Sequence, residues 1–167
     1  MVSHSPGLSI RPAHPPDTPV LFELVQALAD YEELSHHVVG NAESLHNHLF
    51  CDRPYVEALV AEVDQRIVGF ALFFYNYSTF LTKPGIYLED LFVLPDYRRQ
   101  GIGQAFLQTL AQLAVDRDLG RLEWSVLDWN EPAIRFYKTM GATVLPDWRT
   151  CRVTGDALTS LAQRLID

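Results

Sequence analysis

The tightest constraint in this sequence is a strand that runs into a glycine loop and then into a helix. Ile86–Leu94 is apolar and closed by Pro95, so it reads as a strand. Arg98-Arg99-Gln100-Gly101-Ile102-Gly103 comes next. Beyond it, Ile102, Phe106, Leu107, Leu110, Leu113 and Ala114 recur at helical spacing and stop near Asp118-Leu119-Gly120. Two glycines at a strand-to-helix junction let the backbone approach a ligand closely. The free N–H groups of the first helical turn then favour an anion, and Arg98 and Arg99 add positive charge. Phe106 stands where a dinucleotide fingerprint needs its third glycine, and no Gly-Lys-Ser/Thr is present. Spacing alone leaves two readings, a phosphate cradle and an ordinary glycine-bearing loop.

The flanking segments fit one mixed sheet. Leu8–Pro12 reads as a short strand, and Asp17-Thr18-Pro19 opens a helix to about Tyr31. Ala42–Phe50 reads as a short helix. Tyr55–Val63 and Ile67–Tyr77 form a hairpin around Asp64-Gln65-Arg66, and Lys83-Pro84-Gly85 reads as a turn. After the glycine loop and its helix, Leu122–Leu127 is a strand. Asn130 caps a helix through Met140, with Gly141 at its end. Ala142–Leu145 and Arg149–Thr154 predict a closing hairpin, and Asp156–Ile166 a last helix. The expectation is an α/β sandwich: residues 1–7 a flexible N-terminus, residues 8–167 a single domain.

Charge narrows the ligand class. Met1–Tyr97 holds 4 basic and 13 acidic residues, net −9; Arg98–Asp167 holds 9 and 8, net +1. An acidic first half opposes nucleic acid and attracts cations, although solubility alone also accounts for it. No run approaches the ~20 apolar residues of a membrane span, and Met1–Ala13 has no signal-like apolar core. Cys51 and Cys151 are too few for a disulfide scaffold; one bridge between them is conceivable, and the default reading is two buried thiols in a reducing cytoplasm. His36-His37 and His46-x-His48 have no cysteine or carboxylate at ligand spacing, so no metal site is expected.

Three segments taken in order resemble one family. Tyr87-Leu88-Glu89-Asp90-Leu91-Phe92-Val93 leads into Asp96-Tyr97-Arg98 and Gly101-Ile102-Gly103. Asp128-Trp129-Asn130-Glu131-Pro132 precedes Phe136-Tyr137-Lys138 and Gly141-Ala142, while Arg11-Pro12-Ala13 and Leu28-Ala29-Asp30-Tyr31-Glu32 lie near the start. Together, from about Leu8 to Leu161, they resemble the GNAT superfamily of N-acetyltransferases, in its diamine (spermidine/spermine) branch. The resemblance implies a mostly antiparallel sheet with a central splayed parallel pair and helices on both faces. It implies acetyl-coenzyme A as donor, a small-molecule amine as acceptor, and a cytoplasmic homodimer without nucleic-acid or membrane partners.

It also implies roles residue by residue. Backbone groups of Leu91, Phe92 and Val93 would hold pantetheine in the splayed gap. Arg98, Arg99, Gln100, Gly101, Ile102, Gly103 and Gln104 would hold the pyrophosphate, with Asn130, Ala133 and Phe136 lining the thioester arm. Glu89 would be the base, directly or through water, and Tyr137 the general acid. Tyr31, Glu32, Glu89 and Asp90 would bind the acceptor, with Glu123, Trp124 and Asp147 as further candidates. Strand alternation would allow only one of Glu89 and Asp90 to point into the site. Asn76–Leu81 lacks the acid of polyamine-specific members; with Val126–Asn130 it looks more like thialysine-acetylating relatives. Alternatives at this point are another amine, such as an amino-acid or protein amine, a non-catalytic acetyl-coenzyme A sensor, and a protein-interaction domain.

Overall fold

Five strands and five helices succeed one another in a computed structural model that describes residues 7–163. The expected loose end over residues 1–7 lies outside the described residues except for Gly7, and so do Arg164–Ile166 of the last helix. The strands are β1 (Leu8–Pro12), β2 (Glu57–Val63), β3 (Arg66–Ser78), β4 (Lys83–Val93) and β5 (Leu122–Trp124). They form one sheet in the order β1-β2-β3-β4-β5, antiparallel throughout except for the parallel β4–β5 pair. The fold is therefore the mixed, mostly antiparallel one expected.

The helices cover this sheet on both faces. Helix α1 (Thr18–Tyr31) and α2 (Ala42–Phe50) pack Leu21, Leu24 and Leu49 against Val60, Phe70, Leu72 and Phe92. Helix α3 (Ile102–Asp116) lies over the other face. There its Ala105 and Thr109 share a groove with Phe73, which alternation points away from Leu72. Cover on both faces explains why β3 buries six consecutive residues, Val68–Phe73, instead of alternating. Arg11 on β1 pins the opening of the chain by reaching Asp17 at 2.7 Å and Glu62 at 2.9 Å. The Arg11 guanidinium holds the Asp17 carboxyl below its ordinary value.

The chain divides into two compact units, one ending at Ser125 and one beginning at Val126. The sheet and α1–α3 belong to the first. The second holds α4 (Glu131–Thr139) and α5 (Gly155–Ala162). Asn130 caps α4 by accepting from Ala133 N, and Gly141 N and Ala142 N close it on the carbonyls of Lys138 and Tyr137. No described helix is long and apolar enough to cross a membrane.

Four local expectations are corrected. Lys83-Pro84-Gly85 belongs to β4, and the reversal lies earlier, where Thr82 adopts φ 52°. Strand β5 stops at Trp124 rather than Leu127, where its pairing with β4 runs out. Ala142–Leu145 and Arg149–Thr154 form no strands: Val144, Leu145 and Val153 are exposed, and a hairpin with nothing to pack on is marginal. Cys51 and Cys151 are exposed free thiols, not buried ones.

The tightest backbone approach in the sheet is at Gly69, opposite Val93. A Cβ built there would stand 2.7 Å from the Phe92 carbonyl oxygen, a main-chain atom that cannot swing aside. Gly69→Ala should therefore lower the unfolding free energy by about 1–3 kcal/mol in chemical denaturation, as overpacking does. An unchanged midpoint would show that β3 and β4 can separate at this point without cost.

Candidate functional site

Strand β4 carries one residue more than β3 can match. Leu72 pairs with Asp90 and Phe73 with Leu88, which leaves Glu89 as a β-bulge. The bulge resets the alternation. Tyr87 shares the face of Phe74, its ring 5.2 Å away centroid to centroid, so Glu89 falls on that face too. Asp90 pairs with Leu72 and Phe92 with Phe70, and these also lie on the α1 side. The expectation that only one of Glu89 and Asp90 could face the site is thus overturned: the extra residue puts both on one face.

The same stretch has an open edge. The parallel pair ends at Leu88–Trp124, while β4 continues to Val93. Leu94 N donates to Val68 O on β3. Ladder alternation therefore turns the backbone groups of Leu91 and Val93 away from β3, towards the side that β5 no longer covers. Phe92 by contrast directs its backbone to β3, and its buried ring lies in the core. Past Leu88 the parallel pair ends, and of Leu91, Phe92 and Val93 the first and last direct their backbone groups to that edge.

Helix α1 delivers Tyr31 and Glu32 to the same face. Glu33, at φ 61°, reverses the chain; its N–H returns to Asp30 O at 3.2 Å and that of Leu34 to Ala29 O at 2.8 Å. Glu32 is half-buried, and burial raises its carboxyl above the ordinary value. Asp90 is pushed further, up to about 6, by burial first and then by the charges of Glu89 and Glu32. Three carboxylates thus gather where α1 ends beside β4. Glu89 is the exposed one and Asp90 the sheltered one.

The glycine loop leaves β4 through a single 3-10 turn, Pro95–Tyr97. Gly101 is the N-cap of α3 at φ 83°, and no side chain caps the helix. The first-turn amides of Ile102, Gly103 and Gln104 have no acceptor within the helix. Arg99 is exposed, at φ 63°. Arg98 lies inward: its Nε donates to Val93 O at 2.9 Å, and its guanidinium carbon is 4.4 Å from the Tyr31 ring centroid and 5.4 Å from that of Phe92.

The remaining candidates are spread over β5 and the second unit. Glu123 on β5 accepts from Asn76 Nδ2 at 3.3 Å and lies 3.6 Å from Arg121 Nε, so its charge is already engaged. Trp124 ends β5. In the second unit, Asn130, Ala133 and Phe136 recur at the spacing of one α4 face, and Tyr137 is half-buried beside Phe136. Asp147 is exposed in a loop of that unit. Two features of the site escaped sequence reasoning, the bulge at Glu89 and the inward turn of Arg98. Neither has a sequence signal of its own.

Comparison with known proteins gives a consistent answer. The profile of the acetyltransferase (GNAT) family matches residues 22–142. An L-ornithine N5-acetyltransferase of Arabidopsis thaliana is 35% identical over 197 residues, covering 91% of this chain and 86% of that protein. A thialysine N-epsilon-acetyltransferase of Mus musculus is 35% identical over 166 residues, covering 93% and 97%. An integron cassette protein from the mobile metagenome of V. cholerae has the same fold, with a TM-score of 0.78 at 23% identity over 96% of this chain and 100% of that one.

The position of Asp90 has a thermodynamic signature. Its carboxyl binds a proton more tightly when folded than at its ordinary 3.8, so Asp90 costs stability as pH rises through the interval from about 4 to about 6. Asp90→Asn should be more stable than wild type at pH 7.5, by about 2 kcal/mol, with the gap closing at pH 4. Denaturation at the two pH values checks this. A gap of equal size at both would mean that the carboxylate charge is not what Asp90 costs.

Proposed function

Because the chain belongs to the acetyltransferase (GNAT) family and is an N-acetyltransferase, we propose that it acetylates the primary amine of a small cationic acceptor, with acetyl-coenzyme A as donor. The observation that carries the acceptor class is the bulged segment Glu89–Asp90, which faces α1 together with Glu32. A cation entering there meets carboxylates that repel one another in its absence. The relatives named for ornithine and thialysine support an amino-acid-like or short diamine acceptor over a long polyamine. The absence of an acid in Asn76–Leu81 supports the same choice.

Residues of the first unit fit the donor. Gly101 brings no side chain to the helix N-terminus, the α3 amides are free for an anion, and Arg99 is exposed beside them. The open edge offers the backbone groups of Leu91 and the N–H of Val93, of the kind an amide-containing arm pairs with, while the Val93 carbonyl is taken by Arg98 Nε. When bound, acetyl-coenzyme A supplies the activated acetyl thioester. By the family resemblance, Asn130, Ala133 and Phe136 would line the thioester arm.

The chain's own residues move the protons. An alkylammonium near pKa 10.4 must lose its proton before it can attack, which costs about 4–5 kcal/mol at pH 7. Glu89 takes that proton, at its own oxygen or through one water, and Asp90 and Glu32 hold the cation in place. Tyr137 Oη holds the proton that the departing sulfur requires. The same reading has the protein work as a cytoplasmic homodimer, as the family resemblance implies.

Thiol release measured with thialysine, ornithine, putrescine and spermine side by side tests the activity. Thialysine or ornithine should turn over faster than spermine; coenzyme A binding without thiol release from any amine would mean a sensor instead. Tyr137→Phe should lower kcat by about 10²-fold with KM little changed, and a wild-type kcat would remove it from the chemistry. Glu89→Gln should lower kcat/KM at neutral pH and recover in part at high pH, where the amine is deprotonated in solution. Loss that is constant with pH would assign the base elsewhere.

A further inference from the structure

Arg98 joins three segments that serve different tasks. It opens the glycine loop, its Nε holds the Val93 carbonyl at the end of β4, and its guanidinium carbon lies over the rings of both Tyr31 and Phe92. Phe92 is 4% exposed and fixed in the core, so it serves as the rigid back plate. Tyr31 is 41% exposed and immediately precedes Glu32, so it is the plate that borders the acidic cluster. Among the described residues, Arg98 enters no ion pair with a carboxylate. No carboxylate of the Glu32–Glu89–Asp90 cluster lies within ion-pair distance of it; it holds the end of α1 through the Tyr31 ring and the end of β4 through one hydrogen bond. Both depend on the planar, fixed fork of arginine, which lysine lacks.

Resting on the acetyltransferase reading above, we propose that Arg98 is a positioning residue: it clamps the C-terminal end of α1 to the end of β4 and so sets the acceptor side of the site, rather than contacting phosphate. The grounds are geometric. The Val93 carbonyl faces the open edge, and Arg98 Nε occupies it. The guanidinium is thereby held on the α1 side, away from its own loop's exposed arginine, Arg99. Anion recognition falls to Arg99 and the α3 amides, and Arg98 transmits the loop's position to Tyr31 and Glu32.

The test separates the two roles of an arginine at this place. Arg98→Lys keeps the charge and loses the stack. It should raise KM for thialysine about fivefold to twentyfold, with the affinity for coenzyme A, measured by calorimetry, within about threefold of wild type. Tyr31→Ala, at an exposed position that cannot collapse the fold, should shift KM in the same direction, and Tyr31→Phe should recover most of that loss by restoring the ring face. The double variant Arg98→Lys/Tyr31→Ala should be no worse than the poorer single variant, since one contact is lost only once. A tenfold loss of coenzyme A affinity in Arg98→Lys with KM for thialysine unchanged would overturn the proposal, as would independent multiplication of the two single effects. Wild-type turnover of the amine panel is measured first; failure there strikes the acetyltransferase reading, whereas these variant patterns strike the clamp alone.

Discussion

One extra residue in β4 governs the site. Without Glu89 unmatched against β3, Leu88 and Asp90 would keep strict alternation, and the acid pair would be split between the two faces of the sheet. The bulge falls one residue after the last β4–β5 pair, Leu88–Trp124. Increased local twist at a bulge and loss of the neighbouring strand therefore coincide. Together they produce an acidic face towards α1, an edge at Leu91 and Val93 that no strand covers, and a loop that runs from the strand to the start of α3.

Opposite charges are kept apart by this geometry. The carboxylates sit where α1 meets β4, and the free amides sit at the beginning of α3, with the end of β4 between them. A donor rich in phosphate and an acceptor carrying ammonium groups would each meet the opposite sign. The cost is borne by the folded state. Burial holds Glu32 and Asp90 above their ordinary values, and the neighbouring charges add to it at Asp90, an expense that a bound cation relieves.

Much of this was legible in the residues. The Pro95 stop, the Gly101-x-Gly103 spacing and the one-sided apolar pattern after it marked the end of β4, the loop and the start of α3 almost to the residue. Periods of 3.6 marked α1 and α2, and Asn130 the start of α4. The misses have physical causes. Lys83-Pro84-Gly85 carries turn residues, yet strand pairing with Asn76–Ser78 overrides them. Residues 142–154 alternate like a hairpin but expose Val144, Leu145 and Val153, and a pattern is not a partner. The bulge is a property of how two strands register, so a single strand's sequence cannot display it. The direction of Arg98 depends on Tyr31, which lies 67 positions earlier in the chain.

The way α1 ends has a consequence for how such a site can diversify. The reversal at Glu33 is held by main-chain hydrogen bonds to Asp30 and Ala29, so the turn itself does not depend on the side chain at Glu32, while Tyr31 adds its contact with Arg98. Side chains at the acceptor wall can be exchanged while the backbone that carries them stays in place. Acceptor preference would then drift by single substitutions on a constant chassis, joined to the donor side through the Arg98–Tyr31 contact and set against a loop where the demand for Gly101 leaves little freedom.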